Sequence, residues 1–143
     1  MLSIRDNEYD EIIRKMHMPY DDSTRQTLPN YLVMESNVLI AADICGALQA
    51  FGPCRVIKIR DVSELVGMVD SDEPVTAAFL EMRFEQAMNM GLTETYLLRG
   101  AKIILTVGES DEPAAREHGW DMLVRPFTED MIHATLQSSV REV

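Results

Sequence analysis

A chain of 143 residues is long enough to bury one substantial core and short for two ordinary domains, so a single functional site is expected. Hydrophobic residues make up 46% and charged residues 26%, and no apolar run approaches the roughly 18 residues of a membrane-spanning helix, which predicts a soluble globular protein. With 24 Asp and Glu against 13 Lys and Arg the formal charge is −11, a field that repels phosphate backbones and argues against nucleic acid as a partner, and no membrane partner is expected either.

In chain order, the first residues, Met1 to Glu8, carry acids at once and no apolar stretch of a leader, so no targeting signal is expected and the cytoplasm is the expected compartment. Residues 8–18 place Tyr9, Ile12, Ile13 and Met16 at i, i+3, i+4 and i+7, the spacing of an amphipathic helix that Pro19 ends. Residues 19–30 have the composition of a turn and linker. The expected organisation is therefore a helical extension and linker over 1–29 and one domain over 30–143. The apolar stripe of the extension needs a cover, from its own domain or from a second copy of the chain.

Beyond residue 30 short apolar runs alternate with helical patterns, the mark of βα units around a parallel sheet. Strands are predicted over residues 31–34, 55–59, 75–80, 102–106 and 121–124. Ile40, Ile44, Ala47, Leu48 and Phe51 predict a first helix ending at Gly52-Pro53, and Val62, Leu65, Val66 and Val69 a second. A third is predicted over 92–98, a brief fourth over 113–118 and a last one opening at the N-cap Thr128 and running through Val140. The layout is (βα)5, an α/β domain with a five-stranded parallel sheet between two layers of helices. The stretch 82–91 is read as a long loop, with Met82, Met88 and Met90 as an adaptable contact surface.

Several residues have only bland roles. Cys45 and Cys54 match neither a metal nor a redox spacing and are expected to be reduced packing residues. His17, His118 and His133 are dispersed and expected at the surface, and Trp120 is expected to pack.

In such a sheet the ligand crevice lies at the carboxyl ends of the strands. The residues there are Glu35 and Ser36 after the first strand, Glu81 after the third, Thr106 after the fourth, and Arg125, Pro126 and Phe127 after the fifth. Leu-Val-Met-Glu-Ser-Asn-Val-Leu-Ile, Ala-Phe-Leu-Glu-Met, Ile-Ile-Leu-Thr and Leu-Val-Arg-Pro-Phe-Thr-Glu-Asp, in that order, resemble the response-regulator receiver family of two-component signalling, over roughly residues 30–142.

That resemblance implies a flavodoxin-like fold in which an acid pair holds Mg²⁺, an Asp after the third strand accepts a phosphoryl group, and a Thr or Ser and a Lys bind its oxygens. By position, Glu35 and Ser36 are equivalent to the acid pair, Glu81 to the acceptor, and Thr106 and Arg125 to the phosphate-binding residues, with Pro126 a candidate cis-proline. Three of these depart from the family pattern: Ser36 lacks a carboxylate, Glu81 is a methylene longer than Asp, and Arg125 stands for Lys. Met122 stands near where the family often has an aromatic, and only 19 residues separate Thr106 from Arg125.

Losing a carboxylate at Ser36 weakens any Mg²⁺ site, and a lengthened Glu81 overshoots the in-line geometry of phosphoryl transfer. No cofactor is expected beyond weak Mg²⁺, whose ligands would be Glu35 and Glu81. The fork of the Arg125 guanidinium suits a carboxylate, so an ion pair between Glu81 and Arg125 is expected to freeze the crevice. Ser36 is expected to cap the first helix, while Glu35, Glu81, Thr106 and Arg125 have plain readings as strand-end or surface residues.

The leading expectation is a pseudo-receiver, not an enzyme, which acts by contact with a histidine kinase, another regulator or a second copy of itself through its last helices. A phosphoacceptor with atypical chemistry is the alternative. A small flavodoxin-like cofactor binder is a third, for which the first loop, Met-Glu-Ser-Asn, lacks the phosphate-cradling glycine.

Overall fold

The computed structural model describes residues 28–69, 74–96 and 99–138. The expected helix over 8–18 and the last residues assigned to the final helix, Val140 among them, lie outside the described residues.

In chain order the elements are β1 (Asn30–Met34), α1 (Val38–Phe51), β2 (Arg55–Ile59), α2 (Val62–Val69), β3 (Ala77–Leu80), α3 (Phe84–Asn89), α4 (Leu92–Thr95), β4 (Lys102–Leu105), α5 (Glu112–Glu117), β5 (Asp121–Met122) and α6 (Glu129–Gln137). All strand pairs are parallel, in the order β2-β1-β3-β4-β5, with Met34 beside both Ile59 and Leu80, and Leu80 beside Leu105. This is a flavodoxin-like α/β arrangement. A strand order that reverses between β1 and β3 opens a crevice at their carboxyl ends.

The alternation of side chains along each strand divides the core in two. Tyr31, Val33, Phe79 and Ile104 face Ile44 and Leu48 of α1 and Ile132 of α6. Leu32, Met34, Leu80 and Leu105 face Leu65 of α2, Ala87 of α3, Leu92 of α4 and Ala115 of α5. The central strands β1 and β3 are buried throughout, which is why their sequences are apolar at consecutive positions.

The helix starts are local and chemical. The Asn37 side chain accepts from the backbone N–H groups of Leu39 (2.9 Å) and Ile40 (3.1 Å), so Asn37 caps α1 and the expectation for Ser36 is corrected. At α2, Asp61 accepts from the N–H of Glu64 (3.1 Å) while Glu64 accepts from the N–H of Arg60 (2.6 Å), a reciprocal cap. Thr128 caps α6 by accepting from the N–H of Met131 (3.2 Å), with Glu129 and Asp130 favourably placed in its first turn.

The stretch 82–91 is not a loop: it contains α3, with Met82 buried in the core beside Leu80 and Met88 and Met90 half-buried against it. Six residues suffice for α3 because Ala87 at its centre is fully buried, so packing replaces the missing length. The last strand is also shorter than expected, although Leu123 continues its pairing by donating to the Leu105 carbonyl at 2.9 Å. Trp120 is buried, and its ring lies 5.2 Å from that of Phe84, joining α5 to α3. Cys45 is buried in α1 and Cys54 half-buried, both as free thiols whose pKa burial raises.

Candidate functional site

The sheet itself sets the candidate residues in a row. One residue beyond each strand the parallel hydrogen bonding continues: Glu35 donates its N–H to the Ile59 carbonyl (3.1 Å), Glu81 to Met34 (3.1 Å) and Thr106 to Leu80 (3.0 Å). Glu35, Glu81 and Thr106 are therefore level at the carboxyl edge. Each lies two residues after Val33, Phe79 and Ile104 respectively, on the alternation that faces α1 and α6.

Arg125 closes the row. Its Nε donates to the Thr106 carbonyl (2.8 Å), and its Nη2 donates to Thr106 Oγ1 (3.2 Å) and to Glu35 Oε1 (2.7 Å). The Arg125–Pro126 peptide bond is cis, and the guanidinium carbon lies 5.7 Å from the Phe127 ring centroid, within cation–π range. Thr106 is buried, and its hydroxyl donates in turn to the Leu80 carbonyl at 3.4 Å.

The expected Glu81–Arg125 ion pair is replaced by Glu35–Arg125. Burial decides between the two acids. The Glu35 side chain is only 1% exposed, so its charge requires a compensating cation; Glu81 is half-buried and can be satisfied by neutral donors and water. Those donors come from Ser36, whose N–H (2.8 Å) and hydroxyl (3.0 Å) both reach Glu81 Oε1. The extra methylene of Glu81 thus carries its carboxylate across to the loop after β1. Asn37 completes the set, donating its N–H to Glu35 Oε2 at 3.2 Å.

Mg²⁺ fits these residues poorly. Glu35 Oε1 faces a guanidinium, its Oε2 accepts from Asn37, and the Ser36 hydroxyl is directed at Glu81, so a dication would have to displace donors and sit beside a fixed cation. Among the described residues no group of three or more His, Cys, Asp or Glu is placed to hold a metal ion.

A second contact holds the loop after β4. Arg83, just before α3, pairs with Asp111 through Nε (2.8 Å) and Nη2 (3.0 Å), and Asp111 also accepts from the N–H of Phe84 at 3.0 Å. Gly108 makes room for it: its φ is +80°, and a Cβ there would collide with the Arg83 side chain. The sequence reading missed this latch because Arg83 and Asp111 are 28 residues apart and share no local pattern. Asn37 was readable, since Asn caps helices as well as Ser does.

The guanidinium of Arg83 and then the N–H of Phe84 hold the Asp111 carboxyl down at about 2, against an ordinary 3.8. As pH falls, the unfolded chain binds this proton first, so the contribution is complete above 3.8 and is lost on the way down to about 2. Urea titrations of wild type and Asp111→Asn across that range should converge as pH falls. Asp61, also lowered chiefly by the N–H of Glu64, titrates in both proteins and cancels in the difference. Parallel curves would show the latch contributes no stability.

His118 donates from Nδ1 to the Ala114 carbonyl (3.1 Å) and meets the Phe84 ring edge-on, while His133 donates from Nε2 to the Ala47 carbonyl at 2.8 Å from a half-buried position; neither approaches the row of candidate residues by any described contact. No helix among the described residues is long and apolar enough to cross a membrane. Comparison with protein-family models and with curated proteins gave no match.

Proposed function

We propose that the chain is a receiver-like module of the phosphorelay type that signals by protein contact, with its phosphoryl-acceptor crevice closed by its own side chains. The observation that carries the reading is the joint occupation of both crevice carboxylates: Glu35 by Arg125 and Glu81 by Ser36. The parallel order β2-β1-β3-β4-β5 and the level placement of Glu35, Glu81 and Thr106 support the comparison with receivers. The partner is a protein such as a histidine kinase, another regulator or a second copy, and the module itself performs no chemistry.

The physical argument concerns geometry and charge. In-line attack on phosphorus needs a free carboxylate oxygen aimed at open space beside a cation and a metal. Here Glu81 Oε1 accepts two hydrogen bonds, and the nearby guanidinium is already committed to Glu35 and Thr106. Incubation of the full chain with acetyl phosphate and Mg²⁺ should leave its mass unchanged, and beryllofluoride with Mg²⁺ should leave the amide resonances of Glu35, Glu81 and Thr106 in place. A gain of one phosphate mapped to Glu81 would establish the phosphoacceptor alternative instead.

A further inference from the structure

The strand order puts β2 at an edge of the sheet, bonded to β1 on one side, and among the described residues no strand pairs with it on the other. Arg55 donates its N–H to the Pro29 carbonyl (2.8 Å) and the Ile59 carbonyl accepts from Glu35 (3.1 Å), so alternate residues of β2 bond toward β1. The N–H and C=O groups of Val56 and Lys58, between them, point outward, where a further strand would pair.

The charge along this edge is opposite to that of the chain as a whole. Arg55, Lys58 and Arg60 are exposed, and residues 55–60 hold no acid, although acids outnumber bases 24 to 13 overall. Arg83, Arg116 and Arg125 each pair with a carboxylate, whereas none of the edge cations makes an ion pair among the described residues. The acids that follow in sequence, Asp61 and Glu64, hold the cap of α2 by accepting the backbone N–H groups of Glu64 and Arg60.

We infer that the β2 edge takes an acidic extended segment of a partner protein, added to the sheet as a further strand. Strand addition is a recurring mode of recognition in which main-chain bonds give affinity and alternate side chains give specificity. Along β2, Ile57 packs on the α2 side of the sheet and Val56 on the α1 side. Arg55 therefore belongs to the α2 side and Lys58 to the α1 side, so an incoming strand meets a cation on each face, with Arg60 just beyond the strand end. Carboxylates opposite these cations form favourable cross-strand pairs, and β-branched side chains suit the positions beside Val56 and Ile57.

The same cations exclude other occupants. Two copies of β2 side by side bring like charges together across the new ladder, which is how cationic edges resist self-pairing. Nucleic acid would meet a short basic edge on a chain of net charge −11 and would leave the outward backbone groups of a strand unpaired. An acidic strand satisfies backbone and charge at once. The inference goes beyond the signalling reading and does not depend on it, because pairing at β2 is measured whatever the crevice does.

The test is an NMR titration of the full chain at low salt with the blocked peptide Glu-Val-Thr-Glu-Val-Glu. At saturation the amides of Val56 and Lys58 should exchange with solvent about tenfold more slowly, while those of Ile103 and Ile104 in β4 are unchanged. The double variant Arg55→Glu, Lys58→Glu should bind this peptide at least about tenfold more weakly and prefer its counterpart with Lys for Glu. Both side chains are exposed, so the substitutions leave the core intact, which urea unfolding of the variant checks. No binding by wild type, equal binding of the Glu and Lys peptides, or binding without slowed exchange at Val56 and Lys58 overturns the inference. Protection of those two amides that rises with protein concentration in the absence of peptide assigns the edge to a second copy, and tighter binding of a thymidine oligonucleotide assigns it to nucleic acid; either result overturns it as well.

Discussion

Replacing Arg125 with alanine should lower the stability of the protein by about 3 kcal/mol, the cost expected when one partner of a buried ion pair is removed. Glu35 is the reason: its side chain is 1% exposed, and without the guanidinium at 2.7 Å it becomes an unpaired buried charge. The value sits at the low end of such losses because the Arg125 side chain is 29% exposed, so water can reach the space it leaves. Adding Glu35→Gln to Arg125→Ala should recover a large part of the loss, since the double variant buries an amide in place of a charge. Arg125→Lys should fall between, because a single ammonium cannot reproduce the fork that reaches Thr106 and Glu35 together. Urea unfolding of wild type, Arg125→Ala, Arg125→Lys and the double variant, with Glu35→Gln alone to close the cycle, measures these differences. A loss under about 0.5 kcal/mol for Arg125→Ala, the ordinary range of surface changes, would mean that the pair does not hold the crevice.

Trp120→Ala should be the more damaging change, about 4 kcal/mol, as large aromatic truncations in cores are. Trp120 is 1% exposed, touches Phe84 of α3 across the sheet face and follows α5, so its loss opens a cavity that two short helices share. Neither helix, at six residues each, can stand without tertiary packing. Trp120→Phe should cost much less, about 1 to 2 kcal/mol, because the ring that packs is largely kept. Its Nε1 has no hydrogen-bond partner among the described residues, so nothing polar is lost with the indole. Denaturant unfolding followed by far-UV circular dichroism distinguishes the two, and equal losses would show that the indole nitrogen is satisfied after all.

The parts of the fold legible in the sequence were those set by local pattern. β2 and α2 were read at their observed limits because Arg55–Ile59 follows a Gly-Pro stop and Val62–Val69 carries helical spacing. Thr128 was readable as a cap for the same local reason. The helix α3 was not, since its six residues carry no complete apolar period and owe their form to the burial of Ala87 beneath the sheet. The methionines around it were assigned to the surface because a flexible thioether fits either place, and only the position of the strand end sends Met82 inward.

The same division runs through the candidate site. The sequence by itself determined which residues gather at the carboxyl edge, because strand order and alternation place Glu35, Glu81 and Thr106 one step beyond three neighbouring strands. Only the tertiary structure decided how they pair. Two glutamates look alike along a chain, yet one is sealed beneath Arg125 and the other lies where Ser36 and water can reach it. Depth of burial sets the cost of an unpaired charge, and depth belongs to the packed sheet and its helices, so the cation went to the acid that could least do without it.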